Sequence, residues 1–216
     1  MKTYVVLTVD TEPSIAGAFE DPAAYTPLLH EPVGGEVAGR SEALGFMTET
    51  LTRHGLAATF FVETAHTSYF APDQMGRYVD QLLAAGQDVQ LHLHPSWLSF
   101  HNGKPAEGGK VTDHCSELPR ARLAEALNAG CEQIRAWTGK RPSGITGLRL
   151  QVADLVEHDR RVPLPLDVTR FSLGPFLGRC ISGFIGGCRA FDVAGLQFHV
   201  ANSVEADGNV PLPVRV

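Results

Sequence analysis

The residues best suited to chemistry fall in two short runs. Asp10-Thr11-Glu12 follows directly on an apolar, β-branched run at residues 3–9, and His92-Leu93-His94 closes a second such run that starts at Asp88. Each is an i, i+2 pair, and on extended backbone such pairs project to the same side. Two imidazoles and a carboxylate make a ligand set for Zn²⁺ or a similar divalent ion, with a position left open for water. The remaining carboxylate is then free to accept a proton from that water. Neither pair is specific alone. Their joint appearance at the ends of strands points to a metal centre.

The elements that must position these groups can be read along the chain. Residues 3–9 form a buried strand. The turn-rich segment from Thr11 to about Gly39 holds Pro13, Pro22, Pro27 and Pro32; structureless loops of such length are uncommon and often functional. Ser41 reads as the N-cap of a helix carrying Leu44, Met47 and Leu51, which Gly55 stops. Ala57 to Val62 is a second strand. Pro72 and Asp73 open a helix with Met75, Tyr78, Val79, Leu82 and Leu83 on one face, ended by Gly86. Asp88 to Leu93 is a third strand, and a polar loop covers about 99–115. Leu123, Leu127, Cys131, Ile134 and Trp137 mark a long helix that Thr138-Gly139-Lys140-Arg141-Pro142 terminates.

This alternation predicts a parallel β/α architecture with its chemistry at the C-terminal strand ends, where Asp10, His92 and His94 fall. From about Ser143 the pattern weakens. Val152–Glu157 fits a short helix, prolines interrupt Val162–Leu166 and Val210–Val214, and the glycine-rich residues 171–188 suit neither helix nor strand. Leu196 to Val200 is strand-like.

Composition sets limits. The chain has 216 residues, 44% of them apolar, and a net charge of −6, which suits one globular domain. With 24 acidic against 18 basic residues, a strongly basic nucleic-acid binder is excluded. The N-terminal apolar run is too short for a signal-peptide core or a membrane span, so a cytoplasmic protein without a membrane partner is expected. Cys115, Cys131, Cys180 and Cys188 form no CxxC pair and read as reduced thiols. His30, His54, His66 and His158 read as surface or helix-end residues, and His114 as a loop residue. Nothing in the sequence fixes an oligomeric state.

Leu7-Thr8-Val9-Asp10-Thr11-Glu12, Ala58-Thr59-Phe60-Phe61-Val62 and Asp88-Val89-Gln90-Leu91-His92-Leu93-His94-Pro95 resemble the motifs of the NodB-like polysaccharide deacetylases, carbohydrate esterase family 4. Thr138 to Pro142 resembles the segment before that family's third motif. The resemblance covers residues 3–142. It implies a distorted (β/α) barrel spanning residues 1–216 as a single domain, with 143–216 divergent or incomplete. It also implies metal-dependent removal of N-acetyl groups from a glycan or small amino sugar.

By the same resemblance Asp10 is the general base, and Glu12, His92 and His94 are the metal ligands, with zinc as the expected ion. Thr11 occupies the usual adjacent ligand position, and His101 is a reserve ligand because the family's histidine spacing is wider. Leu196-Gln197-Phe198-His199 matches a late motif whose histidine protonates the leaving amine. Arg149 is the counterpart of an arginine that orients the base. The stacking of aromatic faces on sugars suits Trp97 to a substrate groove, with partly buried packing as the equal alternative. Two further readings stay open. One is a small-molecule amidohydrolase on the same scaffold, with a cyclic amide or imide as substrate; the other is a glycan- or metal-binding module without catalysis. The loss of resemblance after Pro142 fits true divergence, a truncated gene or a shifted reading frame.

Overall fold

A strand that alternates apolar and polar side chains can serve a core on one face and a site on the other; Asp88–Leu93 does so, with both of its faces buried after Asp88. The computed structural model describes residues 3–107, 112–147, 189–193 and 196–202. In chain order the elements are β1 (Thr3–Thr11), α1 (His30–Gly34), a small hairpin of β2 (Glu36–Val37) and β3 (Arg40–Ser41), α2 (Leu44–Arg53), β4 (Thr59–Glu63), α3 (Gly76–Ala84) and β5 (Asp88–Leu93). A second small hairpin of β6 (Phe100–His101) and β7 (Lys104–Pro105) follows, then α4 (Arg120–Thr138), β8 (Ile145–Gly147), β9 (Arg189–Val193) and β10 (Leu196–Asn202).

The main sheet runs β8-β5-β4-β1-β10-β9. β1, β4, β5 and β8 are parallel, and these four strands curl into half of a barrel, a mixed α/β architecture compatible with a distorted, partial barrel. β10 pairs antiparallel with β1, and β9 antiparallel with β10. The expected parallel β/α order therefore holds for β1, β4, β5 and β8 and not for the last two strands. Only residues 194 and 195 separate β9 from β10, and so short a connection cannot carry the crossover that a parallel pair needs.

The outer face of the parallel strands is dry. Val9, Phe60, Val62, Val89, Leu91 and Leu93 join Leu44 of α2, Val79 and Leu82 of α3, and Leu127 and Ile134 of α4 in one core. Burying each such side chain is worth about 1.5–3 kcal/mol. α4 comes especially close at Gly130, where a Cβ would stand 2.7 Å from Leu91 Cδ1 and from Thr64 Oγ1. The alternate residues form the inner face. Asp10, Phe61 and Gln90 lie in one register row, and Glu63, His92 and Thr146 in the next.

Several expectations change. Ser41 is not the N-cap of α2, which starts from Ala43 without a side-chain cap. Ser41 sits on β3, where its Oγ accepts the Gly45 N–H at 2.9 Å and donates to Gly34 O. The segment 11–39 is not structureless: Ser14 bridges Leu28, and it carries α1 and the first strand of a hairpin. α3 begins at Gly76 rather than at Pro72, with Asp73 Oδ1 accepting the Met75 N–H at 2.9 Å ahead of it. Cys115 and Cys131 are both buried, and Cys115 Sγ lies 3.8 Å from Leu93 O. Cys180, Cys188, His158 and the readings at 152–157, 162–166, 171–188 and 210–214 lie outside the described residues. Among the described residues no helix is long and apolar enough to cross a membrane.

Candidate metal centre

β1 and β5 are separated by β4, so their inner-face side chains meet over Phe61 and Glu63. Glu12 follows the last residue of β1, and His92 and His94 bracket the last residue of β5. Glu12 Oε2 lies 3.1 Å from His92 Nε2 and 2.9 Å from His94 Nε2. The three ligand atoms all fall within 4.8 Å of one another. The two rings pack edge to face, with centroids 4.7 Å apart.

Each histidine is held from behind. His94 Nδ1 faces both oxygens of Asp113, at 3.1 and 3.0 Å. A carboxylate only accepts, so the ring carries its hydrogen on Nδ1 and turns Nε2 toward Glu12. His92 Nδ1 stands 2.6 Å from Thr146 Oγ1 on β8. Partners of this kind fix ring orientation and donor strength at metal sites. With both Nε2 atoms and one carboxylate oxygen converging on a point, the donor set fits Zn²⁺ or a similar divalent ion. Glu12, His92 and His94 could therefore hold a metal ion, whose identity is open.

The electrostatics follow from the packing. Burial alone would raise the pKa of Glu12, yet the two imidazoles hold it well below the usual carboxylate range. Burial works against a charge on His94, yet the Asp113 and Glu12 carboxylates push its pKa up to about 11. His92, buried more deeply, is also raised, by Glu12, Asp10 and Glu63. Asp113 is lowered, the His94 hydrogen bond outweighing burial.

Glu63 is the residue that the sequence reading missed most. It is fully buried in the row between β1 and β5, opposite His92. Its Oε1 accepts the Ala65 N–H at 2.6 Å and its Oε2 accepts the His94 N–H at 2.5 Å. Burial raises its pKa. At the end of an apolar run it carried no spacing signal. Asp113, in a polar loop, carried none either.

Asp10 stands beside the cluster, its Oδ1 3.8 Å from His92 Nδ1 and 3.4 Å from Thr146 Oγ1. A cavity of about 450 Å³ opens next to Glu12, His94, Ser96 and Asp113. Its other walls are Pro13, Ser14, Ile15, Phe19, Pro32 and Trp97, so the long segment after β1 supplies much of the lining. Trp97 is only 1% exposed, packed with Phe100, and forms wall rather than a free aromatic face.

The remaining candidates are spread out. His101 is exposed on β6, beside Asn102. His199 stands on β10 at the register position opposite Val6, four residues back from Asp10 along β1, roughly 13 Å at the rise of a strand. Arg149 lies outside the described residues. His66, expected at the surface, is fully buried, with Nδ1 2.9 Å from Glu63 O and Nε2 3.2 Å from Asp73 Oδ1. Asp73 also accepts the Trp137 indole N–H at 2.6 Å. That network ties the segment after β4 to α4.

No family model matches the chain, and neither a curated protein nor a solved structure matches it.

Proposed function

We propose that this protein is a metal-dependent hydrolase of amide bonds, acting on the N-acetyl group of a glycan or small amino sugar. The observation that carries the reading is the convergence of Glu12, His92 and His94, with Asp10 at the edge of the same cluster. The resemblance of residues 3–142 to the NodB-like polysaccharide deacetylases supports it.

Glu12, His92 and His94 would hold the ion, for which zinc suits the donor set. The bound ion supplies Lewis acidity, lowering the pKa of a water and polarising a carbonyl. Asp10, about a quarter exposed and 3.8 Å from His92 Nδ1, takes a proton from the water that attacks the amide carbon. The cavity beside Glu12 and His94 receives the acyl end of the substrate. Protonation of the departing amine is assigned to His199 by the resemblance alone.

One observation favours a second substrate class. The cavity sets Ile15, Phe19, Pro32 and Trp97 around the polar groups of Glu12, Ser14, His94, Ser96 and Asp113. Apolar walls around a few polar groups suit a compact small molecule, so a cyclic amide or imide is the second reading.

Acetate release from N-acetylated amino sugars and ring opening of cyclic imides, both on zinc-loaded protein, distinguish the two. Asp10→Ala is expected to lower hydrolysis about 100-fold or more with the metal retained. Zinc binding without hydrolysis of either class would instead identify a binding module.

A further inference from the structure

We propose that Thr146 is a positioning residue that couples the candidate base to a candidate metal ligand; the inference rests on the metal-dependent reading above. β8 is only three residues long, and its register sets Thr146 directly opposite His92. Side chains facing each other across neighbouring strands share a face. The Thr146 hydroxyl thereby reaches His92 Nδ1 at 2.6 Å on one side and Asp10 Oδ1 at 3.4 Å on the other.

The direction of these two bonds is fixed by chemistry. A hydroxyl has one hydrogen to give and lone pairs to accept with, and an ionised carboxylate only accepts. The Thr146 hydrogen goes to Asp10 Oδ1, and its oxygen accepts the Nδ1–H of His92. The direct gap from His92 Nδ1 to Asp10 Oδ1, 3.8 Å, is too long for a hydrogen bond. The hydroxyl is the link between them.

Two alignments follow from that one link. His92 keeps its hydrogen on Nδ1, so Nε2 is the nitrogen left to bind an ion at the point where it meets Glu12. Asp10 is anchored through a single oxygen on the side of the cluster. The resemblance assigns orientation of the base to an arginine in the stretch Ser143–Arg149. Thr146 lies in that stretch and makes the contact to the base with a neutral hydroxyl.

The test uses the full chain with two substitutions. Thr146→Val keeps the shape and removes the hydroxyl, and Thr146→Ser keeps the hydroxyl and removes the methyl. Zinc affinity, measured by competition with a chromophoric chelator, is expected to weaken about 10–100-fold in the valine variant and to stay within about threefold of wild type in the serine variant. At saturating zinc, kcat for amide hydrolysis is expected to fall about tenfold or more in the valine variant with little change in KM, and to recover in the serine variant. Wild-type zinc affinity and kcat in Thr146→Val would overturn the proposal. So would a serine variant as impaired as the valine one, since packing of the methyl would then be the cause. If wild type binds zinc and hydrolyses no amide, the proposed reaction fails while the zinc affinities still decide the role of Thr146. If wild type binds no divalent ion, both readings fall.

Discussion

Asp113 Oδ2 lies 3.0 Å from His94 Nδ1, behind the ring whose Nε2 faces Glu12 at 2.9 Å. A carboxylate in that position holds the imidazole in one tautomer and strengthens it as a donor. Asp113→Ala is expected to weaken zinc binding about 10–100-fold, with Asp113→Asn intermediate. Chelator competition measures both. Unchanged affinity in the alanine variant would remove Asp113 from the centre.

Metal binding is expected to depend steeply on pH. Glu12 is ionised across the accessible range, whereas both histidine pKa values are raised, that of His94 to about 11. Near neutrality His94 carries a proton that a cation must displace, and His92 is shifted in the same direction, so at least one proton leaves per ion bound. Affinity should rise with pH, and titration calorimetry in buffers of different ionisation enthalpy counts the protons. Release of fewer than one would contradict the arrangement.

The same shifts set the stability of the protein kept in chelator. A raised histidine pKa contributes stability that is full below the unfolded value and lost as pH climbs through the folded one. For His94 that window runs from 6.5 to about 11. The melting temperature should decline across this alkaline range, and His94→Gln should flatten the slope. A melting temperature that does not change over the window would argue against the ion pair.

Glu63→Gln is expected to destabilise the fold by about 1–3 kcal/mol, although the side chains are nearly isosteric. Both carboxylate oxygens accept backbone N–H groups, from Ala65 and His94. An amide has one acceptor, so its NH₂ would confront a buried donor. Urea denaturation reads this directly, and a neutral or stabilising result would show that the backbone clamp contributes little.

Gly130→Ala sets helix propensity against packing. Alanine favours a helix interior over glycine by about 1 kcal/mol. The added Cβ would stand 2.7 Å from Leu91 Cδ1 and Thr64 Oγ1, and overpacking costs about 1–3 kcal/mol. Net destabilisation in chemical denaturation is expected. A gain in stability would mean that α4 can shift away from β5.

The parts of the fold visible in the sequence were those with strong local signals. Asp88–Leu93 is a strand with the bounds that its apolar run suggests, and α4 covers the run from Leu123 to Trp137. Ile145-Thr146-Gly147 gave no such signal, because three residues ending in glycine cannot display a period, and pairing with β5 is what makes them a strand. The strand character of Leu196–Val200 was legible, but its direction was not, since direction is set by the partner rather than by the residues. In the site, the pairs Asp10/Glu12 and His92/His94 stood out because strand ends mark them. Glu63, Asp113 and Thr146 touch those pairs from three other parts of the chain, and only folding reveals such contacts.

Val89-Gln90-Leu91-His92-Leu93-His94 alternates without a break between the dry face and the inner one. A slip of one residue in its pairing would turn both imidazoles into the hydrocarbon beneath the helices and push Leu91 and Leu93 out among the carboxylates. Misregistered chains therefore lose solvation of charge and burial of oil together. The strand proofreads itself: the same six residues that gather the centre penalise every alternative alignment, so accurate pairing and an assembled centre arrive as one event.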